Sequence, residues 1–412
     1  MNKELADIEL MVGIPSYLEA DSISFVTRQI DTGLQKYFKS KKSLIVNMDN
    51  NSEDDTKGAF LSTETKTPKK YISTPPGVRG KGNNLLNLMK FALKHKGSLK
   101  ACLVIDADLK SITPEWIKYL AEPIFKGYDY CLPLYSRHQF DGTITNHICF
   151  PLIYGLLSRN IRQPIGGEFG FSPPLIEYWL SQKWNHMVKN YGIDIFMTLN
   201  AIFGGFKICQ TGLAAKIHKA SAPKLGPMFT QVVTTLFDIL LEHEKSWLEI
   251  PAEKPKLIKR FGHQYISPPQ ELKIDILELK MRLREEYLPR KKLLQKYLND
   301  YAIMNIEKMF DQDFYALHIL MWTQVVYQLL HSYQIGSSSI KRDIIEALKP
   351  LYFARSVTFN YLTWRYNVKY AEEAVIEQAE AFASQKSYLI GLYINGIWKD
   401  VRKKGKDDWK MF

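Results

Sequence analysis

Two carboxylates one residue apart, Asp106 and Asp108, stand where the apolar run of "ACLVIDADLKSITPEWI" stops. In a strand, residues i and i+2 point to the same side. Two carboxylates so held repel unless water solvates them or a cation sits between them. Hard oxygen ligands suit Mg2+ or Mn2+, which take one or two carboxylates together with substrate phosphates. A solvated loop that caps the next helix is the alternative this segment leaves open. Lys81 lies between two glycines in "RGKGNN" at a helix start, where it and backbone N–H groups can hold a phosphate. A plain turn satisfies the same residues. His218, flanked by Lys216 and Lys219, is a third metal ligand only where the fold carries it to Asp108; otherwise it is a structural histidine.

These residues need a scaffold, and the first ~215 residues supply one by alternating short apolar runs with helical patterns. The runs at 8–15, 43–51, 101–108 and 128–135 read as strands. Residues 22–38 and the segment after "STPPGVRGKGNN" have helical spacing, and Thr113-Pro114 marks a helix start. Buried strands in β-α-β-α order predict an α/β fold with a mostly parallel, Rossmann-like sheet flanked by helices. In such sheets ligands bind beyond the carboxyl ends of the strands. Three predicted strand ends are polar together: Pro15, Ser16 and Glu19; Asp49 to Ser52; and Asp106 with Asp108. From about Pro223 the pattern turns helical, so the sequence predicts two domains, a catalytic α/β domain over 1–222 and a mainly helical one over 223–412.

Composition narrows the classes. Of 412 residues 46% are hydrophobic and 24% charged, and the formal net charge is +12, which favours acidic partners such as phosphates and sugar nucleotides. The basic clusters at 289–296 and 401–406 lack the aromatic interleaving of nucleic-acid binders, so no nucleic-acid partner is expected. Four scattered cysteines form neither a disulfide framework nor a zinc motif, which points to a reducing cytoplasm. No stretch of about 18 apolar residues suggests a transmembrane segment.

The motifs "GIPSYLEA", "DNNSEDDT", "RGKGNNL", "IDADL" and a late "IH" occur in the order used by retaining GT-A glycosyltransferases. With "DGTITN", "PIGGEFGFS" and "YGIDIFMT", residues 8–240 resemble the glucosylglycerate synthase and glucosyl-3-phosphoglycerate synthase group, glycosyltransferase family 81, with mannosylglycerate synthases as relatives. The resemblance implies that Pro15, Ser16, Glu19 and Ser52 line the nucleotide pocket. Lys81 would contact base or diphosphate, and Asp106 the ribose and metal region. Asp108 and His218 would ligate a divalent ion, Mg2+ or Mn2+. Gly166 and Gly167 would let backbone approach the sugar. The family glutamate that holds the donor sugar corresponds to Asp194, whose alternative is an N-cap of the helix that follows. Gly142, Thr143 and Thr145 would meet the acceptor.

The phosphoglycerate-using members place an arginine between that glycine and threonine. Here the stretch is Gly142-Thr143-Ile144-Thr145, so a phosphate loses its charge-assisted partner, unless Arg137 or His138 replaces it. The implied reaction moves a hexose, glucose being the candidate, from a UDP-, GDP- or ADP-hexose to the 2-hydroxyl of D-glycerate, giving glucosylglycerate, a compatible solute. The alternatives are a 3-phosphoglycerate acceptor, a mannose donor, a nucleotidyltransferase, and a non-catalytic nucleotide-sugar-binding protein at a membrane surface. The helical region offers faces for a homodimer, although such faces more often pack within their own domain.

Overall fold

Apolar runs separated by helices build one eight-stranded sheet. In chain order the elements of the first part are β1 (Leu10–Ser16), α1 (Ile23–Tyr37), β2 (Ser43–Asp49), α2 (Thr56–Ser62), β3 (Lys69–Ser73), α3 (Lys81–Ala92), β4 (Ala101–Val104), α4 (Pro114–Phe125) and β5 (Tyr130–Ser136). Then come α5 (Phe150–Leu157), β6 (Phe169–Phe171), α6 (Pro173–Ser181), α7 (Ile193–Phe203), β7 (Ile208–Ala215), α8 (Leu225–Glu242), α9 (Glu244–Leu248) and β8 (Arg260–Gly262). Helices complete the chain: α10 (Ile276–Tyr287), α11 (Lys291–Tyr297), α12 (Asp300–Asp311), α13 (Ile319–Gln334), α14 (Ser338–Thr363) and α15 (Val368–Ser384). The computed structural model describes residues 7–219, 225–251, 254–263, 269, 271–272 and 275–394. The basic cluster at 401–406 lies outside them.

The strand order is β3-β2-β1-β4-β6-β5-β7-β8. All neighbours are parallel except β6, which runs antiparallel to β4 and β5. This is the expected α/β class with a mostly parallel sheet. β1 lies between β2 and β4, so the chain direction across the sheet reverses there, which opens a crevice beyond the strand ends. α1 and α4 share one core with the strands, through Val26, Ile30, Leu34, Trp116, Ile117 and Leu120. Pro114 is the first residue of α4 and Thr113 is extended before it, as the sequence predicts.

The chain folds into two compact units, and they are not the two halves expected from the change of pattern at 222/223. The first comprises Met1–His138, Ile161–Ile239 and Leu257–Glu271, and so holds the whole sheet. The second comprises Gln139–Asn160, Leu240–Lys256 and Leu272–Phe412. The reason is visible in α5, whose eight residues are all buried. A helix apolar on every side needs partners all round. It finds them in α15 and in Phe359 of α14, through a core of Phe150, Tyr154, Phe359, Ala371, Val375 and Ala379.

Candidate active site

The three polar strand ends fall at one end of the first unit's sheet. At the end of β1 and β2, Asp49 is a hub: Ser16 Oγ donates to it at 2.8 Å, Ser52 Oγ at 2.6 Å, Ser52 N–H at 2.7 Å and Tyr71 OH at 2.9 Å. Asn47 Nδ2 donates in turn to Ser16 Oγ at 2.8 Å, and Asn84 Nδ2 to Ser16 O at 3.1 Å. Pro15 and Ser16 are buried within this corner. Glu19 takes a bond from Ser22 Oγ at 3.0 Å and pairs with Lys219 Nζ at 2.7 Å. Burial raises the Glu19 carboxyl above its usual range, with Lys219 and Ser22 opposing. Lys219 also reaches Asp21 at 2.7 Å.

The turn at Lys81 is built differently from the expected phosphate cradle. The N–H groups that open α3 donate to backbone: Gly82 to Asn190 O at 3.1 Å and Asn83 to Lys189 O at 3.0 Å. A Cβ on Gly82 would lie 2.0 Å from Val188 O, so this glycine serves close packing. The Lys81 side chain alone enters the site. Its Nζ lies 3.0 Å from Asp106 Oδ1 and 3.4 Å from Asp194 Oδ1.

Asp194 is in the first turn of α7, whose N-cap is Gly192, so it is not the cap. A carboxylate there is favoured by the helix dipole. It is 8% exposed; Lys81 Nζ donates to its Oδ2 at 3.4 Å, while its Oδ1 faces the same ammonium at 3.4 Å and accepts no hydrogen bond. Burial raises its carboxyl above the usual range while Lys81 pulls the other way.

Sequence reasoning missed Glu168, which follows Gly166-Gly167 and precedes β6. It is fully buried, and both its oxygens meet Lys216 Nζ, at 3.0 and 2.8 Å. Tyr135 OH also donates to it. The available signal was a lone acid set directly before the apolar "FGF". Lys216 reaches Asp106 Oδ2 at 3.3 Å and Gly166 O at 2.9 Å. Burial would lift Asp106, yet Lys81 and Lys216 hold it far below the usual carboxylate range. Burial would lower Lys81, but Asp106, Asp194 and Glu168 hold it above the usual lysine range. Burial pushes Glu168 up to about 7 against the pull of Lys216.

Asp106, expected to share a metal ion, therefore has one oxygen on each lysine. Asp108 is different: among the described residues it has no hydrogen bond or ion pair. The loop carrying it is tied to the His218 segment, for Lys110 N–H donates to Ile217 O and Ile217 N–H to Ser111 Oγ, both at 2.8 Å. His218 Nδ1 lies 2.6 Å from Lys219 O. Among the described residues no three His, Cys, Asp or Glu side chains converge as a metal cage. Mg2+ and Mn2+ do not need one when phosphates complete the shell. Asp108, an uncompensated hard oxygen donor beside the His218 segment, fits that requirement.

Gly167 sits at φ +100°, and a Cβ there would come 2.5 Å from Asp106 Oδ2. Gly166 packs against Pro133. Arg137 lies over the Tyr135 ring at 5.5 Å. Gly142, Thr143 and Thr145 belong to the second unit. There the Thr143 and Tyr352 hydroxyls bond each other, Gly142 has φ +65°, and Thr145 is 5% exposed. All four cysteines are free and buried. Among the described residues no helix is long and apolar enough to cross a membrane.

No protein-family model matches this sequence, and no curated protein matches it. Among solved structures, the chain is similar to glucosyl-3-phosphoglycerate synthase from Mycobacterium tuberculosis in complex with Mg2+ and UDP. The identity is 23% and the TM-score 0.47, with 56% of this chain and 79% of that one covered. The same synthase with Mn2+, UDP-glucose and phosphoglyceric acid gives the same figures. A structure described only as a mycobacterial protein is similar at 22% identity and TM-score 0.47, with 57% and 76% covered.

Proposed function

We propose that this chain is a retaining glycosyltransferase that moves a hexose, glucose being the candidate, from a nucleoside diphosphate sugar to the 2-hydroxyl of D-glycerate. One observation carries the reading. Lys81, Asp106 and Asp194, far apart in sequence, meet in one partly buried ion network beyond the strand ends, with Asp108 left uncompensated beside it. Asp194 Oδ1 is a buried acceptor without a donor, the group that a sugar hydroxyl satisfies. The missing arginine in Gly142-Thr143-Ile144-Thr145 favours glycerate over its phosphate ester.

Asp108, with His218 and the donor's phosphates, would hold Mg2+ or Mn2+, which supplies Lewis-acid neutralisation of the departing diphosphate. Lys81 keeps its proton and places a fixed positive charge beside Asp106 and Asp194. Asp106, Glu168 and Asp194 all carry lysine partners, so none is an unencumbered nucleophile. Front-face displacement accounts for retention. The acceptor oxygen bonds to the anomeric carbon as the bond to the diphosphate oxygen breaks, and the acceptor proton passes to the released diphosphate.

The test is a matrix of UDP-, GDP- and ADP-hexoses against glycerate and 3-phosphoglycerate with Mg2+ or Mn2+, read by product mass. Hexosylglycerate is the expected product. A hexosylated phosphoglycerate would correct the acceptor, and no transfer from any donor would overturn the reading. Asp108→Ala is expected to lose at least about a hundredfold in transfer while its melting temperature stays put.

A further inference from the structure

The residues around Lys216 form a line of charges that alternate in sign, Glu168, Lys216, Asp106, Lys81, Asp194, of which Glu168, Lys216 and Asp194 are buried and Asp106 and Lys81 half-buried. Glu168 holds Lys216 at 2.8 Å, Lys216 holds Asp106 at 3.3 Å, Asp106 holds Lys81 at 3.0 Å, and Lys81 faces Asp194 at 3.4 Å. Each inner member touches two groups of opposite sign. We infer that Glu168, acting through Lys216, is a positioning residue for the donor site: it fixes how Asp106 divides its two oxygens between Lys216 and Lys81, and so where Lys81 stands before Asp194. This inference rests on the proposed transferase reading.

The geometry gives the reason. Lys216 is 5% exposed along its side chain and has three acceptors, of which only Glu168 and Asp106 are charged. A buried ammonium that loses one carboxylate draws harder on the other. With Glu168 neutralised, Lys216 pulls Asp106 away from Lys81, and Lys81 is left to lean on Asp194. The backbone is moulded to prevent this. Gly166 O is the third acceptor of Lys216, and a Cβ on Gly167 would lie 2.8 Å from Lys216 Nζ. The segment therefore packs against Lys216 and Asp106 where the two meet, a Cβ on Gly167 lying 2.5 Å from Asp106 Oδ2 as well. Tyr135 OH fixes the far end by donating to Glu168.

Steady-state kinetics on full-length protein test this with E168Q, K216M and the double variant, using the sugar nucleotide and acceptor that the wild type accepts. E168Q keeps the side-chain shape and removes the charge. Its kcat is expected to fall about tenfold with the donor KM within about threefold, because a misaligned site binds but does not react. The double variant should be no slower than the slower single variant, since Glu168 has nothing to hold once Lys216 is gone. Losses that multiply in the double variant would overturn the proposal, as would an unchanged kcat in E168Q. Should E168Q fail to fold, Y135F keeps every charge and removes only the anchoring hydroxyl. Its kcat is expected to drop about threefold at an unchanged melting temperature, and no drop would equally overturn the positioning role. A wild type that transfers no hexose would overturn the functional reading itself, whereas an active wild type with an unaffected E168Q overturns only the role of Glu168.

Discussion

Each unit buries cations, but it surrounds them with different partners. In the first unit Lys81 and Lys216 face Asp106, Glu168 and Asp194, every one a carboxylate. In the second unit Lys386 donates to three carbonyls, Leu156 O at 3.0 Å, Trp247 O at 2.6 Å and Ile250 O at 2.7 Å. Arg355 there donates to Gln378 Oε1 at 2.6 Å and Leu317 O at 3.0 Å. Burial pushes the Lys386 ammonium down to about 8 and Arg355 down to about 10, the latter against Glu377. Carbonyls at the ends of α5 and α9 cannot leave, so Lys386 is a fixed clip on two helix termini. Carboxylates can exchange one cation for another, and a charge network is where an incoming phosphate or metal can redistribute the balance. The second pattern holds a fold together, while the first is the one proposed to serve a site.

Asp106→Asn should give the largest effect. It removes the one carboxylate shared by both lysines and leaves two ammonium groups adjacent in a buried place. Transfer should fall at least about a thousandfold, and stability by about 3–5 kcal/mol, read from product formation and denaturant unfolding. A variant with normal turnover would erase the contrast between the two regions. Lys386→Met comes next. Three helix-end carbonyls lose their donor, and unfolding free energy should drop by about 2–4 kcal/mol. The kcat of the protein that remains folded should not change; a lost kcat at retained stability would make Lys386 part of the chemistry and break the comparison from the other side. Gly167→Ala is smaller. At φ +100° an alanine is strained by about 1–2 kcal/mol, and its Cβ must push Asp106 or Lys216 aside. A drop in kcat larger than the drop in stability would sharpen the assignment of this backbone to the site.

Much of the first unit was legible because its strands are continuous apolar runs and its helices have good starts. β2 and β4 lie within the runs read as strands, and β1 and β5 end one residue beyond theirs. β3, with the sequence Lys-Lys-Tyr-Ile-Ser, lacked such a run, and β6 and β8 are three residues each, below any periodic signal. The reversal at β6 was illegible for the same reason. Within the site, Lys81, Asp106 and Asp194 were legible as types at strand and helix ends, but their mutual pairing was not. Pairing depends on long-range placement: Lys81 and Asp194 are 113 residues apart. Glu168 was hidden because one acid among apolar residues carries no periodicity. The second unit's boundaries were illegible because α5 looks like any buried helix in the sequence, and only its partners show where it belongs.

A surface pair extends the comparison to a third environment, and here the expected effect is smallest. Glu115, in the first turn of α4, accepts from Tyr37 OH at 2.6 Å and from Lys36 Nζ at 3.0 Å, both on α1. These two donors lower its carboxyl to about 2. A depressed acid stabilises the fold above its unfolded value of about 4.3, and the contribution is lost as pH falls towards 2. Because Lys36 is 58% exposed along its side chain, solvent screens much of the attraction. Glu115→Gln should therefore cost within about 1 kcal/mol at pH 6, by denaturant unfolding, and the difference from wild type should close by pH 2. High salt should narrow the difference at pH 6 as well. A gap that persists at pH 2 would mean that packing of the side chain, not its charge, joins α1 to α4. Exposed charges on this protein would then behave like the neutral clips of the second unit.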